Sequence, residues 1–297
     1  MDDGQRMAVG LRERLEKHMD DLPVLPVVVM QLMGLDASSD DYFEKLVSII
    51  EADPNFSARV LAAANSAASA PLKPITTIHV ALGRLGSSAA AHVVLAFAVS
   101  RLFIPRSPWE KSLWRHAVQV ALAAKALARH ARDPEIKPDE AYVCGLLHDV
   151  GRFIMFVEAP SLLQSLDEGN LESPDALVAA ERQIAGLTHP ELGAVACERW
   201  KLPSLLRTVV KHHHEAAPPG LTARDAKVTA IVHFADLAMF PSATPGESPL
   251  AASDVASMQK LAALLPKFLR ISAPDLRVLL VECERDAEAT CVTLGIA

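Results

Sequence analysis

Apolar residues in this chain recur at three- and four-residue intervals and almost never alternate, the spacing of one helix face rather than of a half-buried strand. Leu22 to Leu35 is a prolyl-started apolar segment, and Asp40 to Ala52 reads as an amphipathic helix with Leu46, Val47, Ile49 and Ile50 inward. Asp53-Pro54 stops that helix, because proline crowds a helical residue before it. A second helix over about Asn55 to Ser66 turns Phe56, Val60 and Leu61 inward, and Pro71 and Pro74 mark a loop. Thr76 to Leu85 and Ser87 to Phe103 are the next two helices, parted at Gly86, and Pro105 and Pro108 then break the chain.

The second half opens with a helix over about Ser112 to Ala131, closed by Asp133-Pro134. Pro138 suits the first turn of the next helix, where its missing N–H is no loss; that helix carries Ala141 through Asp149 and ends near Gly151. Thr188-His189-Pro190-Glu191 has the form of a capping box and opens a helix to Trp200. Pro203 starts another through His214, Pro218-Pro219-Gly220 is a loop, Ala223 to Phe240 is helical, and Pro241 to Ser248 is a linker before two or three final helices. No internal repeat, low-complexity tract or β-hairpin interrupts the pattern. The expected fold class is all-α, divided into an extension (1–20), an N-terminal helical subdomain (21–108), a second helical subdomain (109–240) and C-terminal helices (241–297).

Composition narrows the function more than the fold. A net charge of −7 argues against a chain whose main task is gripping nucleic acid, since neutralising phosphates takes a basic surface; a local basic patch stays open. The four cysteines, Cys144, Cys197, Cys283 and Cys291, have no CxxC spacing and sit in apolar helical runs, as small buried hydrophobes of a reducing compartment do. Met1-Asp2-Asp3-Gly4 is acidic and lacks the apolar core of a signal peptide. Ala89 to Ser100, the most membrane-like stretch, falls short of the ~18–20 residues of a spanning helix, so no membrane is expected and the localisation expected is cytoplasmic.

The candidate chemistry lies with the histidines and aspartates of the second half. His116, His148-Asp149, His189, the run His212-His213-His214, and Asp236 fall on or beside helices, and helices of one bundle can aim imidazoles and carboxylates at a common metal. Each also has a plainer reading. His116 alone suits a satisfied core residue, His189 a capping hydrogen bond, and the His212–His214 run a solvated helix end. Asp236 is harder to dismiss: it lies in the apolar run Ile231 to Phe240, where an unpaired carboxylate costs several kcal/mol, so it wants a metal, a donor or a cation, with His233 three residues earlier as one source.

Taken in order, His116, then Leu146-Leu147-His148-Asp149-Val150-Gly151, then Asp236 resembles the H…HD…D series of the HD-superfamily phosphohydrolases. His189-Pro190-Glu191-Leu192-Gly193 and His213-His214-Glu215 resemble the further ligands of the HD-GYP subfamily, whose enzymes hydrolyse cyclic dinucleotides. Two positions depart from the pattern: Arg152 stands where lysine is usual, and Ala216-Ala217-Pro218-Pro219-Gly220 replaces Gly-Tyr-Pro. In the first half, Leu22-Pro23-Val24-Leu25-Pro26, Ile49 to Pro54, Ser57-Ala58-Arg59-Val60-Leu61, Ala64-Asn65-Ser66-Ala67 and Ile75 to Leu82 with Leu85-Gly86 resemble the opening of an HDOD domain, over roughly residues 20 to 240.

That resemblance implies an N-terminal helical bundle packed on an HD-like bundle, in a bacterial signal-transduction output module that acts through contacts with other signalling proteins. The alternative it carries is a metal-dependent phosphodiesterase or phosphatase acting on a nucleotide or cyclic dinucleotide. On that alternative His116, His148, Asp149, His189, His213, His214 and Asp236 would bind one or two divalent transition ions (Fe, Mn or Zn), and Arg152 would contact phosphate. Arg59, Asn65 and Lys73, polar residues interrupting an alanine-rich stretch, are the candidate partner surface; helix bracing is the competing role for them.

Overall fold

The computed structural model describes residues 26–66, 71, 73–105, 107–158, 166, 173–240 and 255–296. The expected extension 1–20, Leu22-Pro23-Val24-Leu25, Ala67 and the linker 241–248 lie outside the described residues. All regular structure among the described residues is helical, with no strand. The chain divides into two compact units, one drawn from Pro23–Arg106 and Ala287–Ala297, the other chiefly from Ser107–Asp286.

The first unit holds α1 (Val27–Met33), α2 (Tyr42–Glu51), α3 (Pro54–Ala64), α4 (Ile78–Leu85) and α5 (Ser87–Ser100). Val29, Leu46, Ile50, Val60, Leu82 and Val94 form its core, inward as their spacing dictates. Asp53 both ends α2 and starts α3: its carboxylate accepts the Asn55 N–H at 2.8 Å, and Pro54 takes the first helical position. The chain bends by 108° between α4 and α5, at Gly86, whose φ of 85° favours glycine. α5, apolar nearly all round, is buried from Val94 to Ser100; no single described helix is long and apolar enough to cross a membrane.

Arg59 and Asn65 brace this unit. The Arg59 guanidinium lies 4.7 Å from the centroid of the Phe97 ring and donates to the Thr293 carbonyl at 2.6 Å. Asn65 donates its amide to the Leu61 and Ile75 carbonyls and accepts the Ile75 N–H, each at 2.8 Å. Lys73 is exposed.

The second unit holds α6 (Pro108–Ala128), α7 (Pro138–Leu147), α8 (Val150–Glu158), α9 (Pro174–Ala185), α10 (His189–Arg199), α11 (Ser204–His212), α12 (Ala223–Met239), α13 (Val255–Ala263) and α14 (Ala273–Leu294) as far as Asp286. Three elements differ from the sequence expectation. Pro108 opens α6 rather than breaking the chain, because Ser107 and Glu110 close a capping box around it. The helix expected to end near Gly151 stops at Leu147, and α8 resumes after a two-residue turn made of His148 and Asp149. α9 was not expected; Ser173 caps its start and Gly186, at φ 67°, ends it.

Two glycines set the packing. Gly145 of α7 lies so near α6 that a Cβ there would meet the Ala121 Cα at 2.8 Å. Gly151, in the first turn of α8, lies against the start of α10: a Cβ would fall 1.9 Å from the His189 carbonyl oxygen. The four cysteines are buried free thiols, and burial pushes Cys197 and Cys283 up to about 12.

Candidate metal centre

Five segments of the second unit deliver the polar residues. His116 comes from mid-α6, His148 and Asp149 from the turn between α7 and α8, and His189 is the first residue of α10. His213 and His214 follow the end of α11, and Asp236 lies near the end of α12. His148, His189 and His213 are fully buried, His116, Asp149 and Asp236 nearly so, and His214 is half-buried.

Asp149 stands at the middle. Its Oδ1 lies 3.1 Å from His189 Nε2 and 3.6 Å from His213 Nε2; its Oδ2 lies 3.6 Å from His148 Nε2 and 3.9 Å from His116 Nε2. One carboxylate thus faces two groups, Asp149 with His189, His213 and His214 on one side, and His116, His148 and Asp236 on the other. Within each group the candidate ligand atoms lie within 4.8 Å of one another. Bonds of ~2.1 Å separate donors by ~3.4 Å in a tetrahedron and ~4.2 Å across an octahedron, so both groups suit one ion after small adjustments.

The hydrogen bonds fix which ring nitrogen is available. His148 Nδ1 donates to Gly145 O at 2.7 Å, His213 Nδ1 to Val210 O at 2.8 Å, and His116 Nδ1 to Met239 O at 3.2 Å. Carbonyl oxygens only accept, so these Nδ1 atoms carry a proton, and each Nε2 is the nitrogen left to face the centre, with a free lone pair whenever the ring is neutral. His189 Nδ1 faces the Glu181 carboxylate, 2.8 and 2.9 Å from its two oxygens. These inward nitrogens crowd one another and the carboxylates: His189 Nε2 stands 3.2 Å from His213 Nε2, and His116 Nε2 3.1 Å from Asp236 Oδ1. His148 Nε2, His214 Nδ1 and Asp236 Oδ2 are buried with no hydrogen-bond partner among the described residues. Nitrogens and carboxylates packed this closely need protons or a cation between them, and the donor set of imidazole nitrogens with carboxylate oxygens is that of a divalent transition ion.

In the metal-free chain protons take that place: burial opposes a charged His148, but Asp149 and Asp236 push it up. Burial opposes charge on Asp149, yet His148 and His189 hold its carboxyl well below the ordinary range; burial likewise opposes Asp236, which His116 and His148 hold down. Burial also works against a charged His189, but Glu181 and Asp149 push it up to about 9. Burial, reinforced by His213 and His189, drives His214 far down.

Other expected residues fall elsewhere. His212 turns away to Glu215 at 2.8 Å. His233 donates to the His213 carbonyl at 2.7 Å instead of satisfying Asp236. Arg152 is buried and donates to Asp149 Oδ2 at 3.3 Å. Glu181, missed in the sequence, is fully buried behind His189. Its signal was present: Leu177, Glu181 and Ala185 form the buried stripe of α9, so a carboxylate stands where the helix period requires an apolar residue.

The family model of the HDOD domain matches residues 22–216. An uncharacterized protein of Treponema pallidum (strain Nichols) is 25% identical over 210 residues, 71% of this chain and 41% of that one, so the chain spans about two-fifths of the length of this curated relative. An HDOD domain protein of unknown function from Geobacter sulfurreducens has a similar solved structure, with a TM-score of 0.71 and 24% identity, covering 99% of this chain and 98% of that one. A protein of Shewanella amazonensis SB2B, provisionally named a phosphohydrolase, gives a TM-score of 0.67 and 23% identity over 95% of this chain and 98% of that one. At those identities the two solved structures share the fold. The HDOD match extends over well over half of the sequence, and the chain belongs to the HDOD domain family.

Proposed function

We propose that this chain is a metal-dependent phosphohydrolase working in signal transduction, with a phosphate ester of nucleotide type as substrate. The observation that carries the reading is the division of Asp149, one oxygen toward each of two groups whose imidazole nitrogens converge. His189, His213 and His214 would hold one ion, His116, His148 and Asp236 another, with Asp149 shared. When bound, such ions supply Lewis-acid chemistry, acidifying a water for attack at neutral pH and clamping phosphoryl oxygens. The chain's own contribution is to fix each ring by its Nδ1–H and to exclude bulk water by burial. Arg152, hydrogen-bonded to Asp149, orients that carboxylate and carries a permanent positive charge beside it for a phosphate. With no Gly-Tyr-Pro after His213-His214-Glu215, the cyclic dinucleotide recognition of the HD-GYP enzymes is not carried over.

The test pairs metal analysis of the purified protein with hydrolysis of bis(p-nitrophenyl) phosphate and nucleotide phosphoesters in Mn²⁺ or Fe²⁺. Wild type is expected to bind one or two ions and turn over, and Asp149→Ala to lose both properties while remaining folded. Bound ions without turnover would favour a second reading, in which the centre is structural and the protein acts through contacts with other signalling proteins. Its supporting observation is burial: the three innermost imidazoles expose no surface, and Arg152 is enclosed beside them.

A further inference from the structure

The two halves of the centre differ in their own anions. The half with His116 and His148 has Asp236 among its ligand atoms, whereas the half with His189, His213 and His214 has three imidazoles, neutral when they ligate, and only its share of Asp149. A divalent ion buried among neutral rings lacks compensating charge. Glu181 stands where that charge is missing. It is fully buried, comes from α9, an element that supplies none of the candidate ligands, and spends both oxygens on His189. Its Oε2 accepts the His189 backbone N–H at 2.9 Å, and both oxygens take the ring Nδ1–H. Among the imidazoles of the centre, those of His116, His148 and His213 lean on neutral carbonyls; His189 is backed by a carboxylate.

We infer that Glu181 is the positioning residue that permits an ion in the imidazole-rich half, holding the His189 ring with Nε2 inward and supplying, one residue removed, the negative charge that Asp236 supplies directly to the other half. The inference rests on the metal-binding part of the proposed function and extends it to the order of loading. Glutamine at position 181 removes the charge and turns an amide N–H₂ against the donors of His189, so the ring is released and the ion of that half weakens. The ion beside Asp236 does not depend on Glu181.

The experiment is calorimetric titration of the metal-free full chain with Mn²⁺ or Zn²⁺ alone, with metal content checked after gel filtration. Wild type is expected to bind two ions. Glu181→Gln should weaken one by about 10–100-fold, the usual effect of removing a carboxylate behind a ligating histidine, and change the other by less than about twofold. His189→Ala should weaken the same ion, and adding Glu181→Gln to it should cost nothing further, a coincidence that a purely structural role would not produce. Equal weakening of both ions, wild-type affinity for both, or a further loss in the His189→Ala background would overturn the inference. If Glu181→Gln does not fold, Glu181→Asp replaces it: it keeps the charge and is expected to bind two ions with one weakened, and unchanged affinity for both would again overturn it. A wild-type chain that binds no ion overturns the metal-binding reading itself, a separate result from wild-type binding that is insensitive to Glu181.

Discussion

Replacing Gly151 by alanine adds one methyl group and should undo the centre. The new Cβ would fall 1.9 Å from the His189 carbonyl oxygen and 2.9 Å from the Gly193 N, with 3.0 Å the shortest separation real Cβ atoms show. α8 and the start of α10 must therefore part by about 1.1 Å at that point. The obstacle is backbone, so no rotamer change absorbs it. Overpacking of this kind costs about 1–3 kcal/mol or more. The displacement falls on His189, the first residue of α10, whose Nε2 stands 3.1 Å from Asp149 Oδ1. Metal ligands tolerate only ~0.2 Å, so a movement of about 1 Å takes His189 out of range.

The assay is metal content and thermal melting of Gly151→Ala beside wild type. We expect a lower melting temperature and loss of the ion of the His189 half, with the far-ultraviolet helical signal retained. Gly83→Ala is the control: a Cβ at that helical glycine of the other unit meets nothing within 4 Å, and alanine favours a helix there. A Gly151→Ala protein with wild-type melting and wild-type metal content would refute the claim that the α8–α10 approach builds the site.

Removing metal with a chelator should lower the melting temperature of wild type by roughly 5–10 °C at ion concentrations about 100 times the dissociation constant, and differential scanning calorimetry checks it. Long-range ¹H–¹⁵N correlation spectra of the metal-loaded protein, with Zn²⁺ as the ion, should show His116, His148, His189 and His213 protonated on Nδ1; protonation on Nε2 in any of them would remove that ring from the ligand set. Asn65→Ala should cost about 1–3 kcal/mol in a urea melt, because it strips hydrogen bonds from Leu61 and Ile75. A change within about 0.3 kcal/mol would free Asn65 for the partner surface.

Much of this architecture is written locally. The capping box at Thr188 and Glu191 forms as its sequence requires, with Thr188 N–H donated to Glu191 at 3.0 Å. Asp236 was conspicuous as a carboxylate in an apolar run, and the structure surrounds it with His116, His148 and His214. The break at His148-Asp149 was not legible, because Leu146, Leu147, Val150 and Phe153 keep a helical apolar period across it. Nor was the His189–Asp149 approach, since a glycine inside a helix shows a missing side chain but not the backbone that comes to fill its place. Glu181 follows the rule that made Asp236 stand out, but its stripe offers only Pro174, Leu177 and Ala185 beside it and has a weaker apolar signal.

The arrangement also separates a metal centre from a merely satisfied polar core. In a satisfied core donors alternate with acceptors, and each buried proton has somewhere to go. Around Asp149 the protons of the rings point outward instead, from His116, His148 and His213 to carbonyls and from His189 to Glu181. What remains inward is the Nε2 atoms, two aspartates and the guanidinium of Arg152. A histidine buried only to pack would gain nothing from this, because turning its ring would place an N–H against the neighbouring carboxylate. The backbone carbonyls of Gly145, Val210 and Met239 oppose that turn, and each belongs to the helix that carries the histidine or to one packed beside it. Donors held outward by three separate helices leave buried carboxylates and Nε2 atoms facing one another, a concentration that protons on His148 and His189 balance in the metal-free chain and that divalent ions balance when bound.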